Sequence, residues 1–237
     1  MQINHTVSLQ EKVPPPEGFS VAEILEERAH AMQSRRKRVR TRAALLAVAA
    51  REIEIVGYDS LTVDHLVSSA GMVRGTFYLY FHSRSDIIKA VLRKYWALMR
   101  IHRPRGGGLG LRESIHRANT YSVMLAARNP RLLEAREILL REDANVASRM
   151  ASVNRIWSER IVRDLERRGL TTSEDADHAF VRLKARAVIN MSDTLLSDVN
   201  RLSGWDESDG PIDLHLVIRV MDDLWHRSLY LPEACQT

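Results

Sequence analysis

Arg74, Thr76 and Tyr78 stand within RGTFYLYF, residues 74–81, and their side chains suit the recognition of nucleic acid. A guanidinium presents paired donors that fit either a guanine edge or a phosphate, so Arg74 could do either. Phe77, Tyr80 and Phe81 fall between these positions at the spacing that gives a short helix one buried side. Just upstream, TVDHLVSSAG spells another short helix, with Thr62 as its N-cap, Leu66, Val67 and Ala70 inward, and Gly71 where it must end. Two short helices joined by a glycine-containing turn form a helix-turn-helix, whose second helix can lie in a DNA major groove.

Charge is distributed in keeping with that chemistry. Between Arg35 and Arg105 there are 15 Lys/Arg against 5 Asp/Glu, a net of +10, so the rest of the chain carries −5 of the total of +5. A basic third joined to a mildly acidic remainder suggests a polyanion-binding module attached to something else. The densest part is RRKRVRTR, residues 35–42, where Arg36, Lys37, Arg38 and Arg40 are expected to act as a basic arm towards DNA.

Helical periodicity runs through the remainder. Residues 20–34 read as an extra helix, with Ser20 and Glu23 as a capping box. In that helix Glu26 and His30 lie one turn apart as plain helix surface. Leu45, Leu46, Ala49, Ile53 and Val56 define a helix over 41–56 that Gly57 ends. A long helix follows from Arg84 to about His102. PRGGGLG, 104–110, is the clearest internal boundary, and without a GK[ST] ending or a preceding strand it is no phosphate loop. Helices are then expected at about 111–127, 131–140, 142–168, 174–200 (capped by Thr171, Thr172 or Ser173) and 212–230, with a polar loop SGWDESDGP and Pro232 after the last. No segment alternates like a strand. The fold class is therefore all-α. Residues 1–18, with Pro14, Pro15 and Pro16, read as a tail. One cysteine, Cys235, excludes a disulfide framework within the chain, and no apolar run approaches a membrane span. A soluble, cytoplasmic protein without a membrane partner is expected.

The stretch from about 41 to 92 resembles the TetR family of bacterial transcriptional regulators. The likeness rests on GY (57–58), TV (62–63), AG (70–71), RGTFYLYF (74–81), SRSD (83–86) and the Ile-Ile-Lys-Ala-Val that follows. It implies a three-helix DNA-binding domain at 35–83 behind an N-terminal extension, 1–34, and a larger helical ligand-binding and dimerisation domain at 84–237. Carried over by position, Thr62, Arg74, Gly75, Thr76, Tyr78, Tyr80 and Arg84 are the implied DNA contacts, with Arg84 resembling a phosphate clamp. Val73, Val67, Leu79 and Asp64 depart from the family pattern, and Val73 deprives the second helix of a side-chain cap.

The resemblance also implies a homodimer, a double-stranded DNA operator of pseudo-palindromic sequence, and a small, mostly apolar effector that releases it, most simply as a repressor. Trp96, Met99, Tyr121, Met124, Asn154, Trp157, Phe180, Asn190 and Met191 combine bulk or a lone polar group with an apolar stripe and are the expected ligand-binding residues. The alternative is a DNA-binding regulator or architectural protein with no ligand, controlled by a protein partner. Asp222 and His226 lie one turn apart, but no third ligand or nucleophile accompanies them, so neither an enzyme, a metal site nor a cofactor is expected.

Overall fold

The computed structural model describes residues 18–105, 108–171, 178–198 and 212–229. Among them every regular element is a helix: α1 Val21–Ala31, α2 Lys37–Ser60, α3 Val63–Ser69, α4 Arg74–Tyr78, α5 Arg84–His102, α6 Leu111–Ala127, α7 Pro130–Glu142, α8 Ala144–Arg167, α9 His178–Asp198 and α10 Leu214–Leu229. The proline-bearing tail up to residue 17, Gly106 and Gly107, the Thr172 or Ser173 cap, the loop at 203–211 and Pro232 lie outside the described residues. None of the described helices is long and apolar enough to cross a membrane.

The extra helix α1 is part of the packed structure. Ser20 caps it, accepting from the Glu23 amide at 3.3 Å, and its Val21, Ala22, Leu25 and Ala29 are buried in the main core. Glu26 meets Arg51 of α2 through two bonds of 2.8 and 2.6 Å, so it is an inter-helix tie where the sequence suggested plain surface. The start of α1 is anchored from the other end of the chain by Asn129. The buried Asn129 amide oxygen accepts from Val21 N at 2.8 Å, while its nitrogen donates to the carbonyls of Phe19 and Leu125 at 2.7 and 2.8 Å. Gly18 passes so close to α6 that a Cβ would stand 2.6 Å from the Leu125 amide nitrogen. Asn129→Ala is therefore expected to lower stability by ~2–4 kcal/mol, because a buried amide donor and carbonyls lose their partners together. Urea denaturation checks this, with Ser20→Ala, an exposed cap costing ~1 kcal/mol, as the smaller comparison.

Gly57, at φ 75° and ψ 171°, breaks α2 near its end. Only a residue without a Cβ enters that region freely, and the break turns Tyr58 and Leu61 back onto the core. α5 then runs under the three preceding helices with Ile87, Ile88, Val91, Leu92, Tyr95 and Trp96 all buried. At the far side of α2, the Glu54 carboxylate accepts from the amides of Arg131 and Leu132 at 3.2 Å each, serving the free N–H groups that open α7. Burial raises the Glu54 pKa against those two bonds. One apolar core thus extends from Phe19 to Val146, and smaller clusters join α6, α8, α9 and α10.

Candidate nucleic-acid interface and internal cavity

The second helix of the motif is positioned from within by Phe77, fully buried, and Phe81, while α3 contributes Leu66 and Val67 beneath it. Thr62 caps α3, its hydroxyl accepting from the His65 amide at 3.1 Å. Gly71, at φ 61°, makes the turn into α4. The opposite side of α4 is open: Arg74, Gly75 and Tyr78 are exposed, Thr76 is half-buried, and Val73 and Leu79 stand 70% and 75% exposed. Val73 is the N-cap and supplies no side-chain bond. Tyr80 packs partly against the core. Arg74 reaches across the motif to Asp64 at 3.3 Å, both side chains exposed. The Tyr78 hydroxyl and Asp64 hold the Arg74 pKa above its ordinary value.

Two expectations change here. The basic run is no arm, because α1 precedes it and Lys37, Arg38, Arg40 and Arg42 are the first turns of α2. Arg40 donates to the Gln33 carbonyl at 3.0 Å, and Arg42 lies over the Phe81 ring. Arg36, Lys37 and Arg38 remain exposed at that helix start. Arg84 is no open phosphate clamp either. Its guanidinium donates to the carbonyls of Tyr58, Asp59 and Leu61 at 2.8, 3.1 and 2.9 Å and lies 4.4 Å from the Tyr58 ring centre. The left-handed turn at Gly57 leaves those carbonyls converging, and a forked cation is the group that satisfies several at once.

Behind the motif, the second half of α5 forms one wall of a cavity of about 850 Å³ enclosed with α6 to α10. Tyr95, Trp96, Met99, Tyr121, Leu125 and Trp157 supply much of its apolar lining, and Asn119, Arg136, Asn154, Ser192 and Asp193 are polar groups on it. Arg136 is almost fully buried. It donates to Glu137 at 2.8 Å and to Ser197 at 2.9 Å. Burial would lower its pKa, but Asp193, Tyr95 and Glu137 more than offset that and the net shift is upward. Asp193 accepts from Asn154 at 2.9 Å, and burial raises its pKa in spite of Arg136. Burial also pushes the Tyr95 hydroxyl up to about 12.

Residues 45–91 match the family model of bacterial regulatory proteins of the tetR family. The fold is similar to that of the fatty acid degradation regulator FadR from Bacillus halodurans, at 16% identity over 81% of this chain and 96% of that one, with a TM-score of 0.59. It is also similar to a TetR-like transcriptional regulator from Rhodococcus sp. RHA1, at 20% identity over 81% and 98% of the two chains, TM-score 0.54. No curated protein matches the sequence. The chain is a TetR-family DNA-binding transcriptional regulator. That is a family of regulators rather than enzymes, and Asp222 has a structural task within it: it accepts from His116 at 2.7 Å and Asn119 at 2.9 Å, tying α10 to α6.

Within this TetR-family fold the residues expected to bind a ligand separate into two groups. Trp96, Met99, Tyr121, Asn154 and Trp157 line the cavity; Met124, Phe180, Asn190 and Met191 do not. Phe180, Asn190 and Met191 face outward on α9, where Phe180 and Leu183 are 52% and 66% exposed, beside Leu216 and Val220 of α10. An apolar stripe has two sides on a helix, and periodicity alone does not say which one meets the subunit's own core. Arg136, Asp193 and Ser192 line the cavity without having been singled out in the sequence. The available signal was a charged residue, Arg136, three positions from Leu133 and Leu139 on an otherwise apolar stripe.

Proposed function

We propose that the protein is a ligand-responsive repressor, with residues 35–83 reading DNA and residues 84–237 forming the effector and dimerisation domain. It binds a pseudo-palindromic operator as a homodimer and is released when a small molecule with a mostly apolar body fills the cavity. The observation that supports this best is the cavity itself. A regulator with no ligand has no need of an unfilled space of about 850 Å³ at the centre of its larger part. Its wall is α5, whose first residue, Arg84, holds the carbonyls leading into α3. An occupant that shifts α5 therefore moves the reading helix with it, provided that it binds the released state more tightly than the DNA-bound one.

On DNA, Arg74, Gly75, Thr76 and Tyr78 are the groups placed to enter the groove, Thr62 and the basic start of α2 lie towards the backbone, and Tyr80 acts by packing the motif. Arg74 must leave Asp64 to do so. Fluorescence anisotropy on an operator selected from random DNA tests the reading. Arg74→Ala is expected to weaken binding by ~1–3 kcal/mol per half-site and to relax the sequence preference there. Asp64→Asn moves affinity the other way, by up to ~1 kcal/mol, the size of an exposed ion pair. Binding untouched by Arg74→Ala would remove α4 as the reading helix.

A further inference from the structure

The mouth of the cavity is lined by cations that have no counterion. Arg103, which ends α5, and Arg160 of α8 lie 5.4 and 5.6 Å from the centre of the Trp157 ring. Both line the cavity, with Arg105 beside them. Among the described residues none of the three has an ion pair: Asp164 is taken by Arg167 and Arg168, Glu159 by Arg155, and Glu166 by His178. Arg103 is pressed by burial and by the like charges of Arg160 and Arg105, all of which disfavour its charged form. Like charges gathered at a partly desolvated site are costly unless an anion joins them.

Further in, the walls change character. Trp96, Met99 and Arg103 follow one another at i, i+3 and i+7 along one face of α5, so the cations stand about two helical turns, ~10 Å, from Trp96. The Trp96 indole N–H is buried and has no hydrogen-bond partner. A buried donor lining a cavity calls for an acceptor on whatever fills it.

We propose that the cavity takes an elongated amphipathic anion, with its acidic group at Arg103 and Arg160 and its apolar body running inward past Trp157 and Met99 to Trp96. This rests on the effector-cavity reading and narrows it from an apolar molecule to an amphiphile with a carboxylate or phosphate head. A neutral molecule of the same length would leave the arginines facing one another unrelieved.

Calorimetric titration of the full chain with dodecanoate, dodecyl phosphate and dodecan-1-ol, each below its aggregation limit, tests the proposal. At least one of the two anions should bind roughly 10- to 100-fold more tightly than the alcohol, the range for a charge-assisted pair. Whichever anion leads identifies the head group. In Arg103→Gln/Arg160→Gln that preference disappears while affinity for the alcohol is kept, and Arg103→Lys/Arg160→Lys restores part of it. The melting temperatures of both variants report whether they remain folded. Equal binding of anion and alcohol, binding of none of the three, or an anion preference that survives the Gln variant in folded protein would overturn the proposal. Anisotropy on operator DNA with the same compounds keeps the two readings apart. Anion binding that leaves the DNA bound defeats the effector reading and not the anion site; release by anion and alcohol alike does the reverse.

Discussion

Leu183→Glu is expected to turn the protein into a monomer and to weaken operator binding by about 100-fold or more, the gain that linking two half-site contacts supplies. Leu183 is 66% exposed on α9, with Phe180 on one side of it and Leu216 and Val220 of α10 close in exposure. Such a stripe on neighbouring helices is the self-complementary face that a two-fold dimer uses. Under that symmetry one substitution places two carboxylates in the same interface, where neither finds a partner. The subunit itself should keep its melting temperature in the monomeric form, because an exposed side chain contributes little to its own core. Light scattering coupled to size-exclusion chromatography reads the mass, and anisotropy reads the DNA affinity. A variant that stays dimeric would move the interface elsewhere on the molecule.

Arg84→Met should cost the protein ~2–4 kcal/mol of stability. The guanidinium serves three backbone carbonyls, of Tyr58, Asp59 and Leu61, and covers the Tyr58 ring. Methionine retains some packing and removes the donors, so the carbonyls lose charge-assisted bonds of ~1.5–3 kcal/mol each in part-buried positions, offset in part by water. Measured DNA affinity falls as the motif loosens, and the salt dependence separates this from loss of a phosphate contact. A phosphate clamp would flatten the slope of log K against log salt by ~0.9 for each half-site. A positioning role leaves the slope as it was. Full stability with a flattened slope would return Arg84 to the DNA.

Arg84 also marks where sequence reasoning stops. Its place at the start of α5 follows from Ser83, which caps that helix at Asp86 N. Its target does not, because the three carbonyls are brought together by the break at Gly57, 27 positions earlier in the chain. The basic run shows the same limit. Six cations in eight residues announce a polyanion. Whether they form an arm or a helix start depends on what precedes them, and α1 is held in place by Asn129, more than a hundred residues away.

What the sequence determined by itself is local. Helix periods, the caps at Ser20, Thr62 and Ser83, and the left-handed glycines 57, 71 and 169 are read from neighbours within one or two turns, and they suffice for an all-helical chain with a DNA-reading motif near its start. Phe77 inward and Arg74 outward follow from the same short spacing. The tertiary structure alone decided which apolar residues face a cavity and which face out. Trp157 and Phe180 both sit on helical stripes, but one is enclosed by α5 to α10 and the other lies on the open side of α9. Burial is a property of what a helix packs against, and that is set by contacts far apart in the chain. For the same reason the uncompensated arginines became visible only in three dimensions: Arg103 and Arg160, far apart in sequence, share one indole and no acid.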